Sequence, residues 1–83
     1  MTVLEEASAV INGPRRESYG SAKASFQRIA SVWSAVLGHT VTPEQVALCM
    51  IGLKLVRESN KHHRDNIVDV IGYAALLEQI GEQ

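Results

Sequence analysis

The sequence predicts an all-α protein: a four-helix chain whose last two helices form an antiparallel hairpin and associate into an oligomeric bundle. Three observations carry this reading. Apolar residues recur at spacings of three and four along most of the 83 residues. Ser and Thr caps, two of them followed by Glu or Gln at the third position, mark helix starts. No segment shows the strict apolar/polar alternation or the turn dipeptides of a β-hairpin.

The elements follow in order. Thr2 with Glu5 forms a capping box that opens a first helix of about ten residues, and Gly13-Pro14 stops it with a left-handed cap and a residue that cannot continue it. Gly20 and Ser21 break the chain and cap a second helix, in which Phe26, Ile29, Ala30, Trp33, Val36 and Leu37 repeat at helical spacing until Gly38. The stretch "HTVTPEQV" is the most specific local signal. Thr42 is an N-cap, Pro43 suits the first helical position, Gln45 completes the box, and Val41 can staple onto Val46. The third helix therefore runs from Pro43 to about Glu58. A polar connector, "SNKHHR", leads to a last helix from about Asp65 to Ile80, closed by Gly81.

Composition bounds the rest. A lone domain of this size buries only about 60% of its unfolded surface, so it is a marginal monomer. With 46% hydrophobic and 20% charged residues the chain is an ordinary globular domain. A formal net charge of −1 gives no reason to expect nucleic acid or a membrane surface as a partner. No N-terminal leader pattern and no run of about 18 apolar residues is present. The single cysteine, Cys49, excludes an internal disulfide and suits a reducing compartment, with the cytoplasm as the expectation. Cys49 lies in an apolar run with no base beside it, which points to packing and away from nucleophilic chemistry.

In the third helix "VALCMIGL" covers the whole circumference with uncharged residues, and the last helix has a similarly wide apolar arc. Such helices are surrounded by protein. Eighty-three residues do not easily enclose two of them, so a homo-oligomer is expected, most simply a two-fold dimer.

Against that background Lys54 and Asp69 stand out, each inside an apolar run. Lys54, Arg57 and Glu58 share one face of the third helix, and Asp65, Asp69, Gly72 and Tyr73 share a stripe on the fourth. Two readings remain open. In one, Lys54 and Asp69 are a buried ion pair that sets the register of the hairpin. In the other they line a pocket: Lys54, Arg57, Lys61 and Arg64, with the N-terminus of the fourth helix, bind a phosphorylated group, while Asp69 and Tyr73 read a ribose or a base and Asp65 joins the same ligand-binding set. Arg15, Arg16 and Tyr19 in "RRESYG" suit a nucleotide, Arg15 and Tyr19 joining the candidate ligand-binding residues, or else the stretch forms a turn in which Tyr19 plugs the bundle end. His62 and His63 are adjacent in a polar loop and lack the spacing of helical metal ligands, so a solvated connector is expected. Trp33 shares its stripe with Phe26 and reads as core.

The patterns "R...YG" at Arg15 to Gly20, "F..IA..WS..LG" at Phe26 to Gly38, "K..R" at Lys54 and Arg57, and "D...D..GYA.L" at Asp65 to Leu76 resemble a family of small uncharacterised phage proteins. The chain also looks distantly similar to the nucleotide-modification-associated domains and to MazG-like all-α nucleoside triphosphate pyrophosphohydrolases. The second resemblance implies magnesium held by E-x-x-E and E-x-x-D motifs. This sequence departs from both: Glu5 and Glu6 are adjacent, Glu44 stands alone, and Asp65 and Asp69 are spaced by four. The resemblances imply a binding protein that needs no cofactor and sequesters a nucleotide-like host signal. The alternative they imply is a reduced hydrolase that uses Mg2+.

Overall fold

A computed structural model of the protein describes residues 1–13 and 21–81. Among them are four α-helices and no strand: α1 (Val3–Asn12), α2 (Ala22–Leu37), α3 (Pro43–Asn60) and α4 (Arg64–Gly81). Helix α4 is central and packs against each of the other three, most extensively against α3.

Local chemistry sets the helix starts. The Thr2 hydroxyl accepts the Glu5 N–H at 3.1 Å, and the Glu5 carboxylate accepts the Thr2 N–H at 2.8 Å. Thr42 and Gln45 repeat the arrangement at 3.1 and 2.9 Å, with Pro43 opening the helix. The Ser21 hydroxyl accepts the Ala24 N–H at 3.2 Å. Each cap satisfies donors that the first helical turn leaves without partners.

The helix ends depend more on tertiary surroundings. Gly38 ends α2 in the left-handed region at φ 76°, its N–H donating to the Ser34 carbonyl at 2.9 Å. The Ser34 hydroxyl also accepts the Val41 N–H at 2.8 Å and donates to the Ala30 carbonyl at 2.7 Å, which ties the incoming loop to α2. Gly13 is not the left-handed cap expected: its φ is −94°, and glycine is required there because a Cβ would lie 2.6 Å from the Ala9 carbonyl oxygen. Helix α3 runs past Glu58 to Asn60, α4 begins at Arg64, and the connector contracts to residues 61–63. Gly81 still belongs to α4.

Phe26, Ala30, Val41, Val46, Ala47 and Ile80 form the buried core between α2, α3 and α4. Trp33 and Tyr73 pack on it part-buried, and the Tyr73 ring meets Phe26 edge-on with centroids 6.3 Å apart. Helix α1 covers another side of α4, where a Cβ on buried Gly72 would touch Ile11 at 3.4 Å. The expectation that α3 is enclosed does not hold within the chain. Leu48, Leu53, Leu55 and Val56 are exposed, because α1 and α2 cover other surfaces. Cys49 is exposed as well, not packed as expected.

Candidate anion-binding cleft

Where α3 ends and α4 begins, a polar cleft of about 490 Å³ opens to solvent. Lys54, Arg57, Asn60, Lys61 and His63 line it from α3 and the connector, and Asp65, Asn66 and Asp69 line it from α4. Its volume falls within the range of small-molecule sites.

Lys54 Nζ lies 2.9 Å from Asp69 Oδ2, with the two side chains 16% and 29% exposed. The pair is part-buried and also lines the cleft, so an ion pair between the two residues does not remove them from the cleft wall. Arg57 and Lys61 make no ion pair among the described residues. Three cations against two carboxylates leave the lining with a formal charge of +1.

Glu58 organises the connector below the cleft. One carboxylate oxygen accepts the His63 N–H at 3.0 Å and the Asn66 side-chain amide at 3.1 Å, and the other pairs with His62 Nδ1. The hydrogen bond from His62, followed by those from the His63 backbone and Asn66, holds the Glu58 carboxyl below the usual carboxylate range. A carboxylate of the chain itself thus lies beside the first turn of α4, held by the His63 N–H and the Asn66 side chain. Arg57 and Lys61 carry the positive charge of the lining that no carboxylate among the described residues neutralises.

The remaining sequence-predicted residues lie elsewhere. Arg64 turns toward α1: its Nε donates to Glu6 at 2.9 Å and its Nη2 to the Met1 carbonyl at 2.7 Å. At 100° per residue it is about 140° around α4 from Asp69. Tyr73 borders a cavity of about 10 Å³ between α1 and α4, room for about one water. Arg15 and Tyr19 lie outside the described residues. Sequence reasoning missed Asn60, His63 and Asn66 as lining residues and Glu58 as their organiser. The spacing of four between Glu58 and His62 was the available signal. His62 and His63 are exposed, as a solvated connector requires. Among the described residues no three His, Cys, Asp or Glu side chains group to hold a metal ion, and no helix is long and apolar enough to cross a membrane.

With the cleft defined, the chain can be set beside known proteins. It is 45% identical over 82 residues to the Gene 55 protein of Mycobacterium phage L5, a match that covers 96% of this chain and 53% of the phage protein. It is 36% identical over 83 residues to the Gene 55 protein of Mycobacterium phage D29, covering 99% of this chain and 55% of that protein. The chain therefore spans about half the length of these curated relatives. No solved structure matches it at a significant level. A family profile described as "Domain of unknown function (DUF6378)" matches residues 2–81, and the chain belongs to that family.

Proposed function

We propose that the protein binds and sequesters a phosphorylated, nucleotide-like small molecule, of the cyclic-nucleotide or ADP-ribose type, that serves a phage host as an immune signal. The observation that carries this reading is the pairing within one cleft of two cations lacking ion-pair partners among the described residues, Arg57 and Lys61, with two carboxylates across from them, Asp65 and Asp69. A guanidinium fork and an ammonium suit phosphate oxygens. Carboxylates accept from sugar hydroxyls or an exocyclic amine. The kinship with phage proteins supports action inside the host cytoplasm.

The reading takes α3 and α4 as an antiparallel hairpin, supported by the contacts Glu58–Asn66 near the connector and Lys54–Asp69 farther from it. Asp65 and Asp69, four residues apart on the same cleft, support the second reading, a MazG-like magnesium-dependent pyrophosphohydrolase. Lys54 counts against it, because it already neutralises Asp69.

Retention and turnover are separated by incubating the protein with ADP-ribose, cyclic nucleotides and nucleoside triphosphates, with magnesium or with chelator. The protein is then spin-filtered and denatured, and the released compounds are identified by mass spectrometry. Intact ligand recovered in chelator is the expected result. Products that form only with magnesium and disappear in Asp69→Asn would establish the hydrolase, and no compound retained under any condition would overturn both readings.

A further inference from the structure

Helix α3 turns Lys54 into the cleft and presents an uncharged face on its other side. Gln45, Leu48, Gly52, Leu55, Val56 and Ser59 fall within about a third of a turn of one another. Leu48, Leu55 and Val56 are 54%, 53% and 68% exposed. Three large aliphatic side chains on one stripe thus each leave more than half of their surface to water.

Gly52 lies at the middle of this stripe and of the helix. Glycine inside a helix is destabilising relative to alanine. Nothing in the chain requires it here, since a Cβ at this position would meet no atom within 4 Å. A missing side chain at the centre of an exposed apolar stripe is what close approach of a second backbone needs.

We infer that this face of α3 binds a second copy of the chain, the two α3 helices crossing antiparallel about a two-fold axis at Gly52. The polarity pattern selects a second copy over another protein, because it is self-complementary about that residue. Four residues before Gly52 is Leu48 and four after it is Val56, three before is Cys49 and three after is Leu55, and seven before and after are Gln45 and Ser59. A two-fold axis therefore sets aliphatic against aliphatic, thiol against aliphatic, and amide against hydroxyl, with no charge facing another. This inference does not rest on the ligand reading, because the cleft lies on the opposite side of α3.

The test is sedimentation equilibrium of the full chain over a wide concentration range, for the natural sequence, Gly52→Leu and Val56→Glu. The natural protein is expected at twice the chain mass. Gly52→Leu is expected to keep its helix content, since leucine is the better helix former, and to weaken the dimer by at least about tenfold, the equivalent of about 1.4 kcal/mol. Val56→Glu is expected to be monomeric at every concentration. A natural protein that is monomeric throughout leaves the face to a different partner and overturns the inference. A dimer as tight in both variants as in the natural chain places the contact on another surface and overturns it equally.

Discussion

Lys54 shows how one side chain serves fold and site together. Removing its charge leaves Asp69 part-buried without its partner, and the remaining exposure of both groups tempers the cost. Lys54→Met is expected to lower stability by about 1–2 kcal/mol in urea unfolding, with much of the loss recovered in Lys54→Met/Asp69→Leu. Full stability in the single variant would show the pair to be inert. Glu58 gives a pH prediction. Its carboxyl, like that of Glu5 in the first capping box, is held below the usual range in the folded chain. Its contribution is therefore fully present above the ordinary carboxylate value and lost as pH falls through the lowered folded value. Glu58→Gln should flatten the acid limb of a stability-against-pH curve and leave its neutral region nearly level. An unchanged acid limb would contradict this role. Lys54 and Arg57 on α3 and Asp65 and Asp69 on α4 were legible in the sequence because charges spaced by three and four share a helix face, and Lys61 as a cation of the polar connector. Arg64 was grouped with them although its angular position sends it toward Glu6 and the Met1 carbonyl.

At the scale of elements, the helix starts and the ends of α1 and α2 at Gly13 and Gly38 were legible, and the junction between α3 and α4 less so. Thr42, Pro43 and Gln45 specify a start by contacts within four residues, and sequence displays such contacts directly. The end of α3 and the start of α4 depend instead on Glu58 reaching forward to His63 and Asn66, partners defined only once the connector has folded. Gly13 illustrates the same limit, since its neighbour Ala9 and not a positive φ accounts for it. Two substitutions test the local part. Thr42→Ala is expected to cost about 1 kcal/mol by loss of the cap. Gly38→Ala, at φ 76°, is expected to cost a similar amount, about 1 kcal/mol, through backbone strain. Urea midpoints unchanged in both would show that tertiary packing alone holds these helix ends.

At the scale of the whole molecule, α4 is wrapped by the other three helices while α3 remains half open, and this asymmetry separates two surfaces. One side of α3 contributes to a polar cleft with a formal charge of +1, and the other is an uncharged stripe centred on Gly52. The apolar circumference of α3 was legible in the sequence, but which part of it faces water depends on where α1 and α2 settle. The proposed binding of a phosphorylated, nucleotide-like molecule places Arg57 and Lys61 against its phosphate oxygens. A thermal-shift series in chelator tests it most directly, comparing ADP-ribose and cyclic nucleotides on the natural chain and on Arg57→Gln/Lys61→Gln. At about a hundred times Kd a bound ligand adds about 2.7 kcal/mol, several degrees in a domain of this size. Such a rise is expected for the natural chain and none for the double variant, whose own melting temperature stays close to the natural value. No rise with any compound, or an equal rise in both proteins, would contradict it.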